Sequence, residues 1–237
     1  MRLETPEIYS DLRNRLIEAE FAPSHKLKPL EIQKSYGCSA NTIRDVLLRL
    51  ASEGLADFED QKGFRVPALS IQKQHELTQM RILLEAEGTC LSMRLGGVDW
   101  EAKTSAVHHK LLHLEKRIRP AQESGELLAL WLRAEEEFHQ TLISACGSNI
   151  LISTHRLIYA QFRQQLITID RTFTFISENI AQHTAIVDAA LDGDEAGTRA
   201  AIHNHLERNL IPQHPMVSRF CSPVSANGQA RGRSSSI

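Results

Sequence analysis

Apolar residues recur three or four positions apart through most of this chain, which is the period of helices buried along one face. Ile8, Leu12 and Leu16 form the first such stripe; Thr5 as cap, Pro6 in the first turn and early acids at Glu7 and Asp11 predict its start. Short helices over about residues 30–36 and 39–53 follow, divided by a tight turn at Gly37-Cys38, with Ile43, Val46, Leu47 and Leu50 predicted as buried. Gly54 stops the second of these, and two strands, residues 55–58 and 64–66, are predicted around a turn at Gly63. From residue 70 longer helices take over, at 75–95, 100–118, 125–145, 149–169, 177–191 and 194–210, with breaks at Pro120, Gly147, Ser177 and Gly193. Their short connections predict an antiparallel bundle of six to seven helices over residues 70–212. Residues 213–237 are small, polar and without period, and read as a disordered tail.

Composition narrows this picture. No stretch reaches the roughly 18 consecutive apolar residues of a membrane span, and the first residues are too polar and acidic for a secretory signal, so a cytoplasmic protein is expected. Cys38, Cys90, Cys146 and Cys221 lie far apart, which points to reduced, mostly buried thiols and away from a disulfide framework or thiolate zinc knuckle. The formal net charge of -2 denies the chain a generally basic surface, so any nucleic-acid binding must come from local geometry.

Such geometry is present. Two helices about a glycine turn, followed by a hairpin, make residues 1–69 a winged helix-turn-helix on a mainly α chain, and the second of the pair has the diameter that fits the major groove. Ser39, Asn41, Thr42 and Arg44 fall in its first turns, Arg49 further along, and Lys62 and Arg65 in the wing, where they reach backbone or minor groove. The run Ser-Ala-Asn-Thr-Ile-Arg-Asp-Val-Leu-Leu-Arg-Leu-Ala-Ser-Glu-Gly-Leu at positions 39–55 resembles the recognition-helix signature of GntR-type regulators. Leu12-Arg13, Ala22-Pro23-Ser24 and Gln61-Lys62-Gly63-Phe64-Arg65-Val66 lie where that family has equivalents. Ala40 and Leu30 stand where many members carry an arginine, which implies an altered operator sequence or weaker binding by a monomer. Ten Lys plus Arg against eleven Asp plus Glu over residues 1–69 make affinity depend on dimerisation. The same region used only for protein contacts would bury the same Ile43, Val46 and Leu47.

Spacing also decides which of the eleven histidines matter. Glu135 and His139 are four apart on one helical face, so both reach one point. His183, and His205 22 residues later, join them if their helices face inward; three imidazoles and a carboxylate suit zinc, nickel or another divalent ion. Glu136 and His203 are near competitors in register, whereas His108, His109 and His113 read as solvent-facing or structural. Trp131, Phe138 and Phe162 read as core.

This set resembles the metal site of FCD domains in the FadR-like branch of the GntR family, near the glutarate-responsive carbon-starvation regulators: an Asp-x-x-x-His pair, a Gly-x-Asn break, then two further histidines. Here the break is Gly147-Ser148-Asn149, and Glu135 replaces the usual aspartate, one methylene longer, so that it ligates directly or through water. The resemblance implies a homodimeric regulator, a repressor on a palindromic double-stranded operator, released when a small carboxylate of glutarate size enters the metal pocket. Asn149 and Arg81 are the implied ligand-binding residues; Arg81 has a second reading as the partner of Glu85 at spacing four. A metal-free sensor of a longer acyl ligand is the alternative within the family. A metal-dependent hydrolase is disfavoured, since no His-Glu-x-x-His is present and an enzyme has no use for a DNA reader.

Overall fold

The computed structural model describes residues 4–118, 126–169 and 176–211. The expected tail and the break at Pro120 lie outside these residues.

Helix α1, Thr5–Ile17, buries Ile8, Leu12 and Leu16. Its cap is Glu4 and not the expected Thr5, because the Glu7 carboxylate reaches back three residues to accept the Glu4 N–H at 2.8 Å. A two-residue strand β1, Lys26–Leu27, precedes α2, Pro29–Tyr36. Gly37 then takes the left-handed conformation, φ 63°, that ends α2 without a Cβ clash. Helix α3, Ala40–Ser52, starts where the Ser39 Oγ accepts the Thr42 N–H at 3.1 Å. Strands β2, Asp57–Glu59, and β3, Gly63–Arg65, complete an antiparallel sheet in the order β1-β3-β2. The hairpin therefore has a third strand that was not predicted: Leu27 pairs with Phe64, but two residues are too few to show alternation. Ile8, Leu12, Leu16, Ile43, Leu47, Leu50 and Phe64 close one core, each such side chain contributing about 1.5–3 kcal/mol on burial.

The remainder is helical: α4, Ile71–Leu95; α5, Gly97–Glu115; α6, Glu126–Leu142; α7, Asn149–Ile169; α8, Ile176–Leu191; and α9, Glu195–Leu206. Helix α4 lies against α7 and α9, α5 against α6 and α8, and α8 against α9, so the six helices enclose a common interior. Trp131, Phe138, Leu142, Leu111, Ile186 and Ile202 fill much of it. The inner stripe of α4 is polar instead: Gln74, Thr78, Arg81, Glu85, Thr89 and Ser92, spaced three or four apart, are all buried.

Helix α7 belongs to both regions. Ala160 sits in the core of the winged helix. Gln161 Nε2 donates to the Glu53 carbonyl at 3.0 Å, and Gln164 Nε2 to those of Leu16 and Leu55 at 3.2 and 3.1 Å. Gln165 accepts the Ser70 N–H at 3.0 Å and donates to the Ala68 carbonyl at 3.2 Å, fixing the chain as it enters α4. At Gly54 the backbone is left-handed, φ 73°, which favours glycine, and a Cβ there would come within 2.6 Å of the Gln161 amide and make that side chain shift. None of the described helices is long and apolar enough to cross a membrane.

Candidate metal centre and nucleic-acid interface

Glu135 and His139 project from α6, His183 from α8 and His205 from α9, and the structure brings one ligand atom from each within 4.8 Å of all the others. All four residues are buried. His139 Nε2 faces Glu135 Oε1 at 3.9 Å and has no hydrogen-bond partner. The His139 ring lies over that of His205, centroids 5.3 Å apart, and the His183 and His205 centroids are 4.6 Å apart. Buried imidazole nitrogens without partners are costly, and a cation among them would satisfy them.

A further layer of polar groups surrounds the four. Glu135 Oε2 accepts the Tyr159 hydroxyl at 2.7 Å and pairs with the Arg163 guanidinium at 2.7 Å, leaving Oε1 on the side of the imidazoles. Two of the histidines meet an acceptor at Nδ1, His139 with Glu85 at 2.8 Å and His205 with Gln182 at 3.0 Å, whereas His183 Nδ1 lies 3.1 Å from Glu115 without a hydrogen bond. Arg81 donates Nε to Glu85 at 2.6 Å and is stacked between the Tyr159 and Phe162 rings, 4.7 and 4.4 Å from their centroids. The sequence reading missed Glu115, Tyr159, His155 and Arg163 and saw Glu85 only beside Arg81. Nothing in a linear pattern marks a charged residue as buried; the spacing of four between Tyr159 and Arg163 was the available signal.

Burial favours the uncharged form of Glu135, but the Arg163 guanidinium, with help from His139 and Arg81, overrides it and brings the carboxyl down to about 2. Burial pushes His139 down to about 4 against the pull of Glu85, and moves His205 well below the usual imidazole range, with His183 and His139 adding to it. These directions leave a charged carboxylate beside two neutral imidazoles at neutral pH, the form in which such groups bind a metal. Three buried carboxyl groups, Glu85, Glu115 and Glu135, face two buried guanidiniums, Arg81 and Arg163. Among the described residues Glu115 has no ion pair to lysine or arginine. The donor set fits a divalent ion.

The other expected residues lie elsewhere. Asn149 is exposed in the first turn of α7, ten residues and about 15 Å of helix before Tyr159, so it is not brought to the four ligands. Ser39, Asn41 and Arg44 are exposed at the start of α3 and Thr42 is half-buried. The Arg44 guanidinium lies 5.7 Å from the Phe58 ring centroid, bringing recognition helix and wing together. Lys62 pairs with Glu59, and Arg65 donates to the Ser24 carbonyl at 3.2 Å. Arg49 sits in the last turn of α3 over Tyr9, 3.7 Å from its ring centroid, with Glu53 at 3.5 Å. His109 and His113 are exposed, and His108 is half-buried near Thr184.

Comparison with known proteins finds two family matches along the chain. Residues 5–66 match the family described as bacterial regulatory proteins, gntR family, and residues 76–208 match the FCD domain. The chain is 28% identical over 210 residues to the HTH-type transcriptional repressor GlaR of Escherichia coli, covering 87% of this chain and 94% of that one. It is 27% identical over 205 residues to an uncharacterized HTH-type transcriptional regulator, BphR, of Paraburkholderia xenovorans, covering 85% and 82%. The structure of E. coli McbR/YncC superposes with a TM-score of 0.72 at 18% identity, over 88% of this chain and 96% of that one, a likeness of fold.

Proposed function

Since the chain belongs to the gntR family of bacterial regulatory proteins and carries an FCD domain, it is a DNA-binding transcription regulator, and we propose that a small carboxylate bound at a divalent ion controls its grip on DNA. In this reading Glu135, His139, His183 and His205 hold zinc or nickel. The ion supplies an open coordination position for the carboxylate, and Arg81, whose Nη2 has no partner, supplies a further donor. Ser39, Asn41, Thr42 and Arg44 read the major groove, Lys62 and Arg65 touch backbone or minor groove, and two copies dock on a palindromic operator in the cytoplasm. GlaR, a relative of similar length, is named a repressor, and we assign the same sign here.

The observation that carries this reading is the double engagement of α7. Tyr159 and Arg163 hold the Glu135 carboxylate, while Gln161 and Gln164 on the same helix hold main-chain carbonyls of the winged helix. A ligand that changes the load on Glu135 thereby acts on the helix against which the DNA-reading unit is seated, and half-sites of fixed spacing make binding sensitive to a small tilt.

The test is a fluorescence-anisotropy titration of the full chain on an operator selected from random duplexes, with zinc or nickel and a series of dicarboxylates. Operator affinity should fall when ion and acid are both present. Affinity unchanged at saturating acid across the series would sink the switch.

A further inference from the structure

Glu85 is fully buried on the polar stripe of α4, and both of its oxygens are engaged. Oε1 faces Arg81 Nε at 2.6 Å and His155 Nε2 at 2.9 Å; Oε2 faces His139 Nδ1 at 2.8 Å. A carboxylate held against a guanidinium only accepts hydrogen bonds. For the His139 contact to be a bond, Nδ1 must carry the proton, which leaves Nε2 as a bare lone pair, and Nε2 is the atom without a partner that faces Glu135. The opposite tautomer would set a lone pair against Glu85 and aim an N–H at the place where an ion has to sit. Gln182 Oε1 stands in the same relation to Nδ1 of His205, at 3.0 Å.

We propose that Glu85 is a positioning residue: it commits His139 to the Nδ1–H tautomer and so presents Nε2 to a divalent cation, while Arg81 and His155 hold Glu85 in place. The ion itself rests on the reading under Proposed function. The role of Arg81 is thereby deepened, since whatever its Nη2 binds, its Nε acts on the ion through Glu85 and His139. Second-layer partners of this kind typically change metal affinity by about 10–100-fold.

The test uses the full chain labelled with 15N-histidine and stripped of metal. Long-range 1H–15N spectra, with His139 assigned by the loss of its signals in His139→Gln, should show a neutral Nδ1–H ring in the wild type and a shift towards Nε2–H in Glu85→Gln. Because Glu85→Gln leaves Arg81 without its counter-charge, the double variant Arg81→Gln/Glu85→Gln is measured beside it. Competition against a chromophoric chelator should then show zinc binding weakened about 10–100-fold in whichever variant stays folded. An Nε2–H ring in the wild type, or a folded variant that binds zinc as tightly as the wild type, overturns the proposal. A wild-type chain that binds neither zinc nor nickel refutes the ion reading, and the tautomer of its His139 still decides whether Glu85 positions that ring.

Discussion

The first turn of α3 and the middle of α6 treat polar side chains in opposite ways. At the start of α3, Ser39, Asn41 and Arg44 stand exposed, as would suit the proposed partner, a large polyanion that brings its own hydrogen bonds. On α6, Glu135 and His139 are 3% and 0% exposed, and what marks the pair is the His139 Nε2 left without a partner after the protein has satisfied the rest. A surface for a macromolecule is recognised by its shape and where it sits on the fold. An enclosed site for an ion is recognised by unmet bonding capacity, so the two regions should also fail differently when altered.

The largest effect should come from the enclosed region. Arg163→Met removes the guanidinium that pairs with Glu135 at 2.7 Å and leaves a buried carboxylate with the Tyr159 hydroxyl beside it. Breaking a buried pair from one side costs about 3–5 kcal/mol. Urea unfolding of the metal-free chain should show a loss of that size, and a loss below about 1 kcal/mol would mean that water reaches the pair. Zinc tests the same region from the other direction. At a free concentration about 100 times its Kd it should add about 2.7 kcal/mol of stability, a chelator should remove that gain, and His205→Ala should show none of it.

How much of this was legible in the sequence follows the same division. Helix α7 has the predicted bounds, 149–169, since Gly147 and the Ser148 side chain, which accepts the Leu151 N–H at 3.2 Å, mark its start. Glu135 and His139 were placed together by a spacing of four within one helix. His183 and His205 needed only that their helices face inward. Glu85, Glu115 and Arg163 were not legible as part of the site, because a run such as Gln161-Phe162-Arg163-Gln164-Gln165 has the polarity of a solvated face and only tertiary packing encloses it. The polar inner stripe of α4 inverts the usual rule that the buried face is apolar. Strand β1 was missed for a plainer reason, its two-residue length.

On the exposed side, Arg44→Ala should weaken operator binding by about 1–3 kcal/mol per half-site. Its folded-state cost should be no more than the stacking on Phe58, about 0.5–1 kcal/mol at an exposed site. Anisotropy on the operator and thermal melting of the free protein measure the two separately. Binding unchanged by the substitution would remove Arg44 from the reading face. Lys62→Ala should instead weaken all duplexes alike and lower the salt dependence of binding by about one counterion.

The smallest effect, and the one that asks whether the two regions communicate, belongs to Gln161→Ala. The Gln161 amide contributes one bond to the winged helix, at the Glu53 carbonyl, and touches none of the proposed ligands. The ion should bind as before, and the effector-free chain should hold its operator within about twofold. The acid-induced drop in operator affinity should shrink by about 0.5–2 kcal/mol. Reciprocity makes the result checkable from the other end. If acid weakens DNA binding by some factor, DNA must weaken acid binding by the same factor, and in Gln161→Ala both factors have to shrink together. Should the factor stay as large as in the wild type, α7 is not the element through which the enclosed site and the open one sense each other.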